Sequence, residues 1–234
     1  MSASVAIRER PILFSGPMVR AILDGRKTQT RRVVQPQPWE DVGTLRVGVY
    51  HPEIVVRGEY EPGPEEFGAW SEDGEFAVRC RYGAPGDRLW VREAHALESY
   101  ERIVYRADRA AQYVQDFPFG GMGRFGHMFW LSSDYEPDRW RPSIHMPRWA
   151  SRLTLEITDV RVERVQEISE SDAEAEGLTK RGHWWDVGSD WKGDGLDTTA
   201  SGAFRMRWDA LNAKRGYGWD ANPWVWCLAF KVVQ

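Results

Sequence analysis

Residues 10–34, RPILFSGPMVRAILDGRKTQTRRVV, constrain the fold more tightly than any other part of the chain. A short apolar run at positions 11–14 reads as a strand. Ser15 sits where a helix N-cap belongs, and Pro17 falls in the first turn, where its missing N–H breaks no hydrogen bond. Met18, Ala21 and Ile22 recur at the spacing of one buried helix face. Gly25 supplies a left-handed stop. From Thr28 a strand pattern follows, with Thr28, Thr30 and Arg32 on one face and Gln29, Arg31 and Val33 on the other. Lys27 lies in the turn between helix and strand. Four cations and two hydroxyls therefore crowd into GRKTQTRR, residues 25–32.

The rest of the chain holds more strand than helix. Residues 36–85 are rich in Pro, Gly and acidic side chains, broken by strand-like RVGVY and EIVVRGEY, and read as hairpins. GDRLWVRE is a glycine turn feeding a strand. RLTLEITDVRVERVQEI alternates through Leu153, Leu155 and Ile157. SESDAEAEGL opens a helix capped by Ser169, with Asp172 in the capping-box position and Gly177 as its stop. AFRMRWDALNAKRG is a helix ending at Gly216, and NPWVWCLAF a closing strand. Residues 99–139 contain FPFGGMGRFGHMFW, whose glycines lack the strand-then-helix context of a phosphate loop, and read as an irregular surface excursion. Residues 181–202 read as a long loop. The pattern predicts one α+β domain over residues 1–234, a small mixed β-barrel with surrounding helices. Long insertions are expected near 36–85, 99–139 and 181–202.

Composition narrows the function. A net charge of −4 argues against a protein that coats nucleic acid through a general basic field, yet allows a local basic pocket. Thirteen tryptophans promise an aromatic core. Trp184 and Trp185 are candidates for stacking on a base, with packing under their loop the alternative for at least one. Two isolated cysteines and five scattered histidines make no metal-ligand spacing, so neither metal nor cofactor is expected. No run approaches the ~18 apolar residues of a membrane span. The first residues lack the apolar core of a secretory signal, and a cytoplasmic protein is expected.

GRKTQTRR fits the G-x-K-x-x-T-x-R form of the ASCH signature, a branch of the PUA-like barrels. The chain resembles the small bacterial N(4)-acetylcytidine amidohydrolases, with GDRLWV, EISESDAEAEGL and VWCLAF following in the same order. WRPSIHMPRWASRLTLEITDV and WDANPWVW also resemble ASCH proteins of phages and prophages. The resemblance implies a PUA-like barrel and a catalytic set of Lys27 as base, Thr30 as nucleophile and Glu176 as acid. Glu174, two residues away, is the other choice for the acid. The implied ligand is a modified pyrimidine nucleoside or base. RNA is the alternative partner, since other ASCH relatives bind or cut it; a binding module or ribonuclease is then the competing function.

The chemistry sets requirements. Threonine attacks only after a base takes its proton. Moving a lysine from a reference pKa of about 10.4 to about 7.5 requires about 4 kcal/mol of destabilisation of the ammonium. Burial, with repulsion from Arg26, Arg31 and Arg32, is the expected source. A Glu176 near a helix C-terminus is expected to favour the protonated form that a donor needs. Arg32 shares the Thr30 face and is a candidate grip for a carbonyl or phosphate, or else a structural ion pair. Arg92 and Glu93 are candidates for the barrel mouth, or for a cross-strand salt bridge. His145 is a further substrate-binding candidate, with a buried hydrogen-bonded role the alternative.

Overall fold

A computed structural model describes residues 7–99, 102–114, 125–130, 139–186 and 196–233. β1 (Glu9–Leu13), α1 (Gly16–Leu23) and β2 (Gln29–Val33) follow the opening pattern. Ser15 takes the extended N-cap conformation, but its side chain makes no capping bond. Gly25 ends the turn at φ +72°. Helix α1 buries Val19, Ala21 and Ile22.

Hairpins occupy the first insertion. β3 (Leu45–Tyr50), β4 (Glu53–Val56), β5 (Glu59–Pro62), β6 (Glu66–Ser71) and β7 (Ala77–Arg79) form a β3-β6-β7 sheet and a separate β4-β5 pair. β8 (Arg88–Arg92) follows the Gly86 turn. The second insertion differs from expectation. β9 (His95–Ser99), β10 (Arg102–Tyr105), β11 (Ala110–Val114) and β12 (Phe125–Trp130) form a four-stranded antiparallel sheet rather than an irregular excursion. Ile103 and Tyr105 alternate inward and pack with Ala110, Met146 and Ala150, which gives these short strands a core of their own. The alternation lies in RIVYRADRAAQYV, which holds no glycine, ahead of the glycine-rich FPFGGMGRFG on which the sequence reading rests. Residues 115–124 and 131–138 lie outside the described residues.

β13 (Thr154–Arg164) leads to α2 (Glu170–Ala175), then to β14 (Thr179–Arg181), β15 (Trp184–Asp186) and β16 (Leu196–Asp197), which form a small sheet in part of the third insertion. Residues 187–195 of that expected loop also lie outside the described residues. Helix α3 (Ala200–Asn212) and β17 (Trp224–Val232) complete the chain.

The main sheet has the order β1-β8-β13-β17-β2, with β1 and β8 parallel and the other pairs antiparallel. Strand β17 is covered on both faces. Trp224, Trp226, Leu228 and Phe230 enter a core shared with α1, whereas Val225 and Cys227 enter one shared with Phe204 and Trp208 of α3. Burial on both faces explains the continuous apolar run WVWCLAF. The result is a strand-rich α+β fold in which, among the described residues, no sheet closes into a barrel. No helix among them is long and apolar enough to cross a membrane.

Helix α2 meets the turn after α1 at a glycine. Gly177 has φ +84°, and a Cβ there would stand 2.7 Å from Lys27 Cβ and 2.8 Å from Ala21 Cβ. Gly177→Ala is expected to destabilise the fold by about 2–4 kcal/mol, combining left-handed strain with overpacking. Denaturant midpoints measure it. A loss under about 0.5 kcal/mol, the range of ordinary surface substitutions, would contradict this close approach.

Candidate active site at the edge of the main sheet

Strand β2 is bonded to β17 on one side only, so its outer edge needs other partners. The end of α2 provides them. Lys27 and Glu176 form an isolated bridge, and the Thr28 N–H donates to Ala175 O at 2.9 Å. The Lys27 side chain then folds back along the same edge. Its Nζ donates to Gln29 O at 2.7 Å, Glu176 O at 3.0 Å and Glu176 Oε2 at 2.6 Å. An ammonium has three protons, and all three are used. The Thr30 hydroxyl is not among its partners.

Two residues far apart in the chain are thus locked together. The Lys27 side chain is fully buried and that of Glu176 is 5% exposed. Burial lowers the Lys27 pKa to about 8, against the pull of Glu176 and with help from Arg207 and Arg32. Glu176 Oε1 also accepts from Arg31 Nη1 at 3.5 Å, so cations bracket both carboxylate oxygens. Glu176 is thus held by both Lys27 and Arg31 at the end of α2.

Behind the pair lies a charge network. Arg31 donates to Glu163 Oε1 at 2.6 Å and to Asp172 Oδ2 at 3.0 Å, and Arg161 bonds both carboxylates. Burial alone would raise the Glu163 pKa, but Arg31 outweighs it and holds the carboxyl below its usual range. Asp172 is likewise held low against burial, by Gln29, Arg161 and Arg31. Half of the expected capping box is therefore present: Ser169 accepts from the Asp172 N–H, whereas the Asp172 carboxylate serves the arginines.

A cavity of about 240 Å³ runs between β2 and α3. Thr30, Arg32 and Glu176 line it from the sheet side. Phe204, Arg207, Trp208, Leu211 and Arg215 line it from the helix side, at the spacing of one helix face. Thr30 is 3% exposed and pairs with Leu228 on β17, whereas Thr28 is exposed. Arg32 stacks on Phe14, 5.1 Å from the ring centroid, and donates from Nη2 to Leu13 O at 2.6 Å. Its Nε is shielded from solvent without a hydrogen-bond partner. A second, larger cavity of about 460 Å³, bordered by Arg8, Phe67 and Asp87, lies away from this set.

The structure brings Lys27, Thr30, Glu176 and Arg32 together, but not the other candidates. Arg92 stacks over Trp90, and its Nη1 reaches Ile144 O at 3.3 Å. Glu93, just past the end of β8, is buried in a two-bond pair with Arg152, at 2.8 and 2.9 Å. Arg152 also holds Asp108, so this cluster anchors the β9–β12 sheet and lines no part of the cavity. His145 is exposed on a single 3-10 turn, Ser143–His145. Glu174 is not a cavity residue. Trp185 is buried beneath Lys180, whereas Trp184 is 48% exposed. Sequence reasoning missed Arg81, Tyr82, Arg207 and Arg215. The 204-207-208-211-215 spacing was the available signal for those on α3 and its end.

No family model, no curated protein and no solved structure matches the chain.

Removing one charge of a buried pair leaves the other uncompensated. Lys27→Met is expected to lower stability by about 3–5 kcal/mol. Adding Glu176→Leu should restore most of it, because Arg31 keeps Glu163 and Asp172. A double-mutant cycle on denaturant midpoints gives the coupling. Additive losses would show that the two side chains do not interact in solution.

Proposed function

We propose that this protein is an ASCH-type amidohydrolase, its main sheet a variant of the PUA-like barrel wall, that removes the acyl group from N(4)-acylated cytosine derivatives. One observation carries the reading: a buried lysine–glutamate pair at 2.6 Å beside a buried threonine that lines a cavity. The resemblance to the family assigns roles to Lys27 and Thr30 through GRKTQTRR and to Glu176 through EISESDAEAEGL.

The pair supplies both groups that the reaction needs. One proton shift from Lys27 Nζ to Glu176 Oε2 converts the ion pair into a neutral amine and a protonated acid. Burial assists this shift, because a low-dielectric site penalises separated charges. The neutral amine takes the Thr30 proton, and Oγ1 attacks the acyl carbonyl carbon. The C–N bond breaks as Glu176 protonates the departing exocyclic nitrogen, leaving an acyl-threonine that water hydrolyses. Lys27 must release one of its three acceptors to reach Thr30. Catalytic hydrogen bonds are commonly loose before substrate arrives.

A binding module for a nucleotide is the second reading, and the saturation of all three Lys27 protons favours it. The two separate cleanly. Under the amidohydrolase reading Thr30→Ala abolishes release of cytidine from N(4)-acetylcytidine, Thr30→Ser keeps part of it, and exposed Thr28→Ala has no effect. Lys27→Arg loses about 10²–10⁴-fold, because a guanidinium cannot act as a base. Full turnover by Thr30→Ala would defeat the covalent mechanism.

The pH dependence has a definite sign. The active form holds one proton on the Lys27–Glu176 pair, and that proton leaves as pH rises through the Lys27 value of about 8. kcat/KM should therefore be level just below pH 8 and fall tenfold per pH unit above it. A rate that climbs through pH 8 would show Lys27 acting beside an ionised Glu176, and the proton-shift mechanism would be wrong.

A further inference from the structure

We infer that the cavity beside Thr30 takes a nucleoside monophosphate, its phosphate held by Arg32, Arg81 and Arg215. The base part of this assignment rests on the deacylase reading, and the phosphate part rests on the charges of the cavity alone. The chain as a whole is negative, yet five arginines line this cavity against the single carboxylate of Glu176. Two of the five have other work. Arg31 is matched by Glu163, Asp172 and Glu176, and Arg207 donates to Glu176 O at 3.3 Å.

The other three differ. Among the described residues Arg32, Arg81 and Arg215 form no ion pair. Arg32 bonds only Leu13 O, and Arg81 bonds only the neutral Gln35 amide, at 3.2 Å. Arg215 is exposed just past the end of α3. All three line the same cavity as Tyr82; burial raises its phenol above the usual range, while each arginine pulls the other way. Three like charges in one cavity repel one another, and a dianion relieves that repulsion. Guanidinium forks also match phosphate oxygens geometrically. Arg32 Nε has no hydrogen-bond partner among the described residues. The cavity, of about 240 Å³, is small, near the lower end of the ~300–1,000 Å³ range of small-molecule sites.

The test compares N(4)-acetylcytidine with its 5′-monophosphate as substrates of the whole protein. Calorimetric titrations with cytidine, cytidine 5′-monophosphate and inorganic phosphate run beside it. The monophosphate is expected to exceed the nucleoside at least about tenfold in kcat/KM, through KM, with an advantage that shrinks at high salt. Arg81→Ala combined with Arg215→Ala, both on exposed residues, should bring the ratio to about one. Equal kcat/KM for the two substrates, or an advantage that survives both substitutions, overturns the assignment. So does inorganic phosphate binding as tightly as the nucleotide, or a preference for acetylcytidine within an oligonucleotide. If neither substrate turns over but the nucleotide binds in an arginine-dependent way, the deacylase reading fails and the phosphate site stands.

Discussion

The Lys27–Glu176 contact joins two segments nearly 150 positions apart, and the arrangement around β2 depends on it. Helix α2 spans only Glu170–Ala175, too short to hold itself in water. Its place is set by Ala173 in the core under α3 and by charges at both ends of its inner face. Lys27, Arg31 and Arg161 stand against Glu176, Glu163 and Asp172, three cations against three carboxylates. Buried ions cost several kcal/mol each unless matched, and this cluster matches them within hydrogen-bonding distance. The same contacts cover the free edge of β2, which would otherwise present unpaired backbone groups.

Much of the architecture around this contact was legible from local patterns. The strand–helix–turn–strand opening follows from an apolar run, Ser15, Pro17 and Gly25. The closing strand was recognisable from unbroken apolar content, whose physical reason is burial on both faces of β17. What local patterns could not show is which charges are buried. Arg31 and Asp172 look like an exposed strand residue and a capping-box partner, because periodicity reports faces and not depth. Glu93 looked like a neighbour of the site because it follows a strand of the main sheet, yet Arg152 draws it into a different core.

The cavity itself was the least legible part. One wall is a strand edge and the other a helix whose inward face carries Arg207 among aromatics, with Arg215 just past its end. An arginine on a helix reads as solvated surface until the opposing wall is known. The pairing of Lys27 with Glu176 was accessible only through the resemblance of GRKTQTRR and EISESDAEAEGL to family segments. The structure sets them 2.6 Å apart, and nothing in residue spacing links position 27 to position 176.

The division of labour between lysine and arginine follows from their chemistry. Arginine stays charged at any pH a protein tolerates, so it can anchor structure or hold an anion but cannot exchange a proton. Arg31 and Arg161 do the first, and their carboxylates stay ionised for that reason. Lys27 is the one cation of the buried cluster whose charge is within reach of titration, since burial brings it to about 8. A scaffold gains little from such a group, because apolar residues of similar volume commonly replace a buried ion pair with no loss of stability. Here the titratable amine is bonded to a carboxylate that lines a cavity together with a buried threonine, an arrangement compatible with proton transfer. The permanent charges of the neighbouring arginines assist by lowering the lysine without competing for its proton.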